Sequence, residues 1–192
     1  SLIERGTWRL VSCPQGRNII DSKWIFKIKR NPDNTIDRYK ARVVARGFTQ
    51  SQGIDYNETF APTVRISSIR MVLSLAAYHN WEVEQLDVMT AFLEADVDEE
   101  IYMRAPEGYR VKDKNGCELV CLLLKSIYRL KQASHNWNET ITKWLVEFGF
   151  SQSKVDPGIY IYRKDGLHYI LALYVDDSII AGPAGPFFTH FK

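Results

Sequence analysis

The chain has little cysteine, and no arrangement of it that does chemistry. Cys13, Cys117 and Cys121 are odd in number and form no CxxC pair or Cys/His ligand spacing. A disulfide framework and a zinc site are therefore not expected, and a reducing compartment suits the chain better. The four histidines, His79, His135, His168 and His190, have no mutual spacing that suggests a metal or a catalytic pair. No apolar run approaches a membrane span, no signal or transit segment opens the chain, and repeats and low-complexity tracts are lacking. No membrane partner is expected. What is present, 45% apolar and 25% charged residues in 192, is a globular composition with enough apolar residues for a core, in one domain or two small ones. The start at Ser1 suggests a piece of something longer.

The net charge of +2 hides an uneven distribution. Residues 1–50 carry eleven Lys and Arg against four acids, and residues 81–118 carry eleven acids against four bases. A basic N-terminal third suits a polyanion such as nucleic acid or a triphosphate. Two solvated faces that attract each other would leave the same pattern.

KWIFKIKR (23–30) alternates apolar and basic residues, RYKARVV (38–44) does so less regularly, and NPDNT lies between them. The pattern predicts a β-hairpin with one basic face. Ile66, Ile69, Val72, Leu73, Ala76 and Ala77 recur at helical spacing, which predicts a helix over 66–80. EVEQLDV (82–88) alternates as a strand ending near Asp87, and LVCLLL (119–124) reads as a strand buried on both faces. A second helix is predicted from Ser134, as N-cap, to Phe148, with Gly149 stopping it. Strands follow at 158–163, 168–174 and 178–182, the first two joined by a turn at Lys164-Asp165-Gly166. Without a βαβα beat, the fold class expected is α+β with an antiparallel sheet.

In LALYVDDSII (171–180), Asp176 and Asp177 stand together in an apolar run. Buried carboxylates cost several kcal/mol unless compensated, on the order of the penalty for unpaired buried charge. On a straight strand the two would point to opposite faces, whereas in a tight turn both can project from the tip. An acidic hairpin tip suits Mg²⁺, which takes carboxylate oxygens. Asp87 in QLDVMTAFL ends another predicted strand about 90 residues earlier and is the natural third carboxylate. Together the three would make a two-metal site. Taken singly, each of these aspartates also reads as a turn former or a cap.

RYKARVVARGFTQSQGIDYNETFAP, LDVMTAF, SIYRLKQASHNW, GFSQSKVDPGIYIY and YVDD, in that order along a match that covers roughly residues 4 to 182, resemble the reverse transcriptase of Ty1/copia-type LTR retrotransposons. The resemblance implies a fingers-and-palm polymerase. Residues 1–84 would be fingers (basic hairpin 23–46, helix 66–80), 85–95 the first catalytic palm strand, and 96–133 a fingers/palm connection. Residues 134–182 would be palm with the YVDD hairpin, and 183–192 a tail unlike the family. It further implies two-Mg²⁺ transfer of a nucleotide from dNTP to a primer 3′-hydroxyl, Mn²⁺ being a substitute, with Asp87, Asp176 and Asp177 as metal ligands. Arg42 matches a triphosphate clamp, assisted by Lys40 on the same strand face. Amides from Val88 to Phe92 would hold the triphosphate, and Phe92 matches the aromatic gate against a 2′-hydroxyl. Gln132 would lie near the sugar and template, and Tyr174 beside the primer terminus. Apart from the resemblance, Phe92 reads as a core phenylalanine and Lys40 as a solvated lysine. Implied partners are an RNA or DNA template-primer, dNTPs and the rest of a Pol polyprotein, including integrase and RNase H. The implied location is intracellular, in a cytoplasmic virus-like particle and the nucleus.

The chain departs from the family at Arg129, usually glycine, and at Ser134, usually proline. A glycine there would permit positive φ, so Arg129 is expected to strain the loop that carries Gln132. After Gly182, PAGPFFTHFK does not look like the family's continuation, and Pro183 and Pro186 are expected to break any helix there. Thumb and RNase H regions are not expected in this segment, which on its own should give little processive synthesis. The alternative to a polymerase segment is an inactive remnant with residual nucleic-acid binding. A metal-dependent nuclease or a Ca²⁺ loop would also use clustered aspartates, but neither accounts for the ordered blocks or the Arg42 hairpin.

Overall fold

The computed structural model describes residues 2–164 and 166–191. In chain order the strands are β1 (Trp8–Ser12), β2 (Ile19–Ile20), β3 (Ser22–Arg30), β4 (Ile36–Ala45), β5 (Glu82–Asp87) and β6 (Tyr102–Arg104). They continue with β7 (Leu119–Leu123), β8 (Phe150–Gln152), β9 (Ile159–Lys164), β10 (Leu167–Tyr174) and β11 (Asp177–Gly182). The α-helices are α1 (Ile66–His79), α2 (Ala133–Phe148) and α3 (Phe187–Phe191). The class is mixed α+β, as the sequence predicts. The turn expected at 164–166 falls on Asp165, outside the described residues; β9 and β10 pair from Lys164 with Leu167 onward.

Two compact units share the chain: residues up to Phe60 with Phe92–Asn136, and Ala61–Ala91 with the residues from Trp137 onward. The first holds a four-stranded sheet, in the order β1-β7-β6-β2, and the separate β3–β4 ribbon. Its core gathers Ile20, Ala45, Ile101, Met103, Cys121, Leu123 and Ile127. β7 is buried along most of its length, as its continuous apolar run predicts. Cys121 lies in this core, and burial pushes its thiol up to about 12, whereas Cys117 is exposed.

The ribbon register assigns its faces. Lys27 pairs with Lys40, Lys29 with Arg38, and Ile25 with Arg42, which puts the cations on one face. The other face carries Trp24, Phe26, Ile28, Tyr39 and Val43. Directly opposed residues share a face because side chains alternate along each strand. The predicted basic face is present, and behind it lies an apolar face with Phe26 and Tyr39 each 75% exposed.

The second unit is a five-stranded antiparallel sheet, β5-β11-β10-β9-β8, with helices packed on it. One core cluster joins Leu145, Phe150, Tyr160, Tyr169 and Ile180, and another joins Val72 and Ala76 to Ile159, Ala172 and Ala181. Helix α1 falls where periodicity puts it and ends at Asn80, a left-handed cap with φ 54°. Its buried face is narrower than predicted: Val72 and Ala76 are buried, while Ile66, Leu73 and Ala77 are exposed. Helix α2 starts at Ala133, so Ser134 lies in the first turn and is not its N-cap. The expectation of a broken helix in the tail is also corrected. Helix α3 begins directly after Pro186, whose carbonyl accepts from the His190 amide, and Phe188 and Phe191 are buried. A proline just ahead of a helix costs nothing, because its missing N–H would have no partner there.

Helix α1 takes its cap from a distant residue. Buried Asp156 accepts hydrogen bonds from the Arg65 amide (3.0 Å), the Ser68 hydroxyl (2.5 Å) and the Gly158 amide (3.0 Å). Burial alone would raise its pKa, but these bonds and the Arg65 charge win and hold it below the ordinary 3.8. A Cβ on Gly158 would stand 2.3 Å from the Val64 nitrogen, so only glycine lets this backbone pass. Asp156→Ala should therefore destabilise the chain by about 2 kcal/mol in denaturant titrations at neutral pH. A lowered folded pKa contributes stability that is complete above 3.8. It is lost as pH falls through the folded value, so the gap between wild type and variant should close in acid.

Arg129 has φ 71°, and its carbonyl would lie 2.0 Å from a Cβ on Gly47. The left-handed backbone expected there is present on an arginine. Arg129→Gly should raise stability by about 1 kcal/mol, read as a higher denaturation midpoint with unchanged slope.

Candidate active site

The β10–β11 hairpin closes with Tyr174 opposite Asp177, so Val175 and Asp176 form a two-residue loop. Val175 has φ 57° and Asp176 does not share a positive φ, the pattern of a type II′ turn. A β-branched residue at positive φ is strained and is held by its surroundings. Its neighbours supply the restraint. The buried Trp137 indole on α2 donates to the Val175 carbonyl at 2.8 Å. One residue before Tyr174, the Leu173 amide donates to the Gly158 carbonyl and its own carbonyl accepts from Val64.

The β5–β11 register opposes Asp177 to Asp87 directly. Such cross-strand partners project to one sheet face with Cβ atoms about 4.5–5.5 Å apart. Asp176 is drawn to the same edge, since its carbonyl accepts from the Val88 amide at 3.0 Å. That amide, expected among the triphosphate donors, is engaged here by the Asp176 carbonyl, just beyond the ends of β5 and β11. Asp87 and Asp177 are exposed and Asp176 is half-buried. Among the described residues no cation or hydrogen-bond donor is paired with these three carboxylates. Leu171, Leu173 and Ile180, which flank them, are buried under the aromatic core. The apolar run thus belongs to the sheet interior and the acids to its end.

As a donor set, three unpaired carboxylates at one sheet end fit a hard divalent cation in kind. The backbone brings them together; their side chains as oriented do not close into a cage. Among the described residues no three His, Cys, Asp or Glu side chains are gathered so as to hold a metal.

The other predicted site residues lie in the first unit, except for Tyr174, which is 54% exposed beside the turn. Arg42 is half-buried on β4, with its guanidinium carbon 4.8 Å from the centroid of the Tyr128 ring. Phe92 meets the same ring edge to face at 5.1 Å and is half-buried. Lys40 sits two residues before Arg42 on the same ribbon face. Gln132 is fully buried. Its amide donates to the Asp55 carbonyl (2.8 Å) and the Glu99 carboxylate (3.2 Å), and its oxygen accepts from Gln50 (3.0 Å). Asp55, also buried, receives Asn18 at 2.6 Å and the Ser51 amide at 2.7 Å. In this orientation Gln132 belongs to a polar network inside the first unit, away from any exposed surface.

Three contributors escape a reading of the sequence. Trp137 reads as a core tryptophan, which it is, but nothing local announces its bond to Val175. Tyr128, directly before Arg129, has no pattern of its own. Asp156, in KVDPG, reads as a turn former, and two of its three partners lie 88 and 91 residues away.

Comparison with known proteins bears on what this arrangement is for. The family model described as reverse transcriptase (RNA-dependent DNA polymerase) matches residues 5–192. The match therefore continues through residues 183–192, past the point where the resemblance was expected to stop. The Retrovirus-related Pol polyprotein from transposon TNT 1-94 of Nicotiana tabacum is 46% identical over 183 residues, 95% of this chain and 14% of that protein. The Retrovirus-related Pol polyprotein from transposon RE2 of Arabidopsis thaliana is 40% identical over 177 residues, 92% of this chain and 12% of that protein. The Transposon Ty1-NL2 Gag-Pol polyprotein of Saccharomyces cerevisiae is 35% identical over 164 residues, 85% of this chain and 9% of that protein. The chain thus spans about one-seventh or less of the curated relatives it matches. It belongs to the reverse transcriptase family, in the form carried by the Pol polyproteins of Ty1/copia-type retrotransposons.

Proposed function

We propose that the chain is the nucleotidyl-transfer segment of an RNA-directed DNA polymerase within a Pol polyprotein, adding dNTPs to a primer 3′-hydroxyl on an RNA or DNA template. The observation that carries this reading is the opposition of Asp87 and Asp177 beside the Val175–Asp176 turn, with no cation paired to any of the three acids. Asp87, Asp176 and Asp177 would hold Mg²⁺, or Mn²⁺ in its place. The ion supplies a lowered pKa at the attacking hydroxyl and charge neutralisation at the triphosphate.

The protein's own residues do the positioning. Trp137 and the Val88 amide fix the turn from its two carbonyls, Val175 and Asp176, so the acids are held at the sheet edge. A guanidinium at Arg42 presents a planar fork of donors suited to phosphate oxygens, and Lys40 adds charge on the same face. The Phe92 ring, braced by Tyr128, discriminates by bulk: a 2′-hydroxyl would have to displace it. Tyr174, exposed next to the turn, offers a ring to the primer end.

A second reading, a folded remnant without activity that retains nucleic-acid binding through the basic ribbon, draws support from Arg129 at φ 71°, a family glycine position.

Primer extension by the polyprotein carrying this segment separates the two. Under the polymerase reading, wild type extends, and Asp176→Asn loses at least about a thousandfold in rate while its melting temperature holds. Wild-type chain that folds and binds template yet does not extend would favour the remnant. Phe92→Ala should relax the preference for dNTP over rNTP by about tenfold or more in single-nucleotide incorporation. Unchanged sugar selectivity would remove Phe92 from the gate.

A further inference from the structure

We infer that Tyr128 is a positioning residue that sets the Arg42 guanidinium and the Phe92 ring together, so that triphosphate affinity and sugar discrimination depend on one aromatic ring. The inference rests on the roles proposed above for Arg42 and Phe92, and all three residues lie in the first unit.

Tyr128 is half-buried and contacts both partners at once: the Arg42 guanidinium carbon at 4.8 Å and the Phe92 ring at 5.1 Å with an interplanar angle of 83°. Its backbone is fastened to the same strand as Arg42, since the Ala45 amide donates to the Tyr128 carbonyl at 3.0 Å. The next residue, Arg129, has left-handed backbone and is pressed against Gly47, which leaves the Tyr128 segment little freedom to slide along β4.

Arg42 is a half-buried cation, and among the described residues no carboxylate is paired with it. What holds it is a ring face. A cation–π contact restrains a long, rotamer-rich side chain without occupying its donors with an acceptor oxygen, so the fork stays open to an incoming anion. A carboxylate in the same place would compete with phosphate for those donors. The edge-to-face contact with Phe92 has a preferred geometry as well, so a shift of the Tyr128 ring moves the gate along with the clamp.

Steady-state incorporation of matched dNTP and rNTP by the polyprotein carrying this segment tests the coupling, with wild type, Tyr128→Phe, Tyr128→Leu and Tyr128→Met compared. Loss of the ring in the Leu and Met variants should raise the dNTP KM about fivefold or more, in the range a cation–π contact supports. The dNTP-over-rNTP preference should fall in the same variants while kcat moves less than KM. Tyr128→Phe keeps the ring and should restore both quantities. In an Arg42→Gln background, Tyr128→Leu should add little to KM but still lower sugar selectivity. The inference is overturned if KM and selectivity hold in the Leu and Met variants. It is equally overturned if Tyr128→Phe fails as they do, or if the only change is a fall in melting temperature. Failure of the underlying reading looks different: extension that survives Asp176→Asn would sink the polymerase assignment whatever Tyr128 does.

Discussion

The second unit is organised around a turn that its central residue resists. Val175 must adopt φ 57° for β10 to fold back on β11 after only two residues, and a β-branched side chain disfavours that conformation. A looser loop would relieve valine but would shift the pairing. With the tight turn, Tyr174 faces Asp177, and Asp177 in turn faces Asp87 on β5. One residue of slippage would send Asp177 to the other face of the sheet, because side chains alternate with period two. The β5–β11 register thus opposes Asp177 to Asp87, and the strained turn sets Asp176 next to them.

The strain is sustained by groups that have no chemistry themselves. The Trp137 indole takes the Val175 carbonyl and the Val88 amide takes that of Asp176, so both carbonyls of the loop are fastened. Behind the turn, the Leu173 backbone is bonded to Gly158 on one side and Val64 on the other, and Asp156 fixes the chain at both places. Asp156 therefore does more than cap α1. It ties the start of the helix to the strand entry that supports β10, which explains why its partners are so distant in sequence. The first unit repeats the theme on a smaller scale, with the buried Gln50–Gln132–Asp55 network holding irregular backbone that no sheet ladder satisfies.

Much of this was legible in the chain because it rests on local pattern. The two-faced ribbon follows from alternation in KWIFKIKR, β7 from the uninterrupted LVCLLL, and the hairpin from apolar strands meeting at two aspartates. Pattern was least informative where a helix is only partly covered: the apolar residues of α1 have helical spacing, yet Ile66 and Leu73 are exposed. It was silent where one long-range bond decides the matter, as with Trp137 and Asp156. It misled in the tail, where the rule that proline breaks helices overlooked proline's fitness just before a helix starts and the drive to bury Phe188 and Phe191. For the candidate site, residue types singled out the three acids and strand register brought Asp87 to Asp177. The engagement of the Val88 amide and of Gln132 depends on bonds that no composition records.

The central proposal is that three acids brought to one sheet edge would together bind divalent cations. Titration of Mn²⁺ into the chain, with free ion followed by electron paramagnetic resonance, tests it directly and without catalysis. The account predicts saturable uptake by the wild type that is lost in Asp87→Asn and in Asp176→Asn alike. Uptake that survives either substitution unchanged would contradict it.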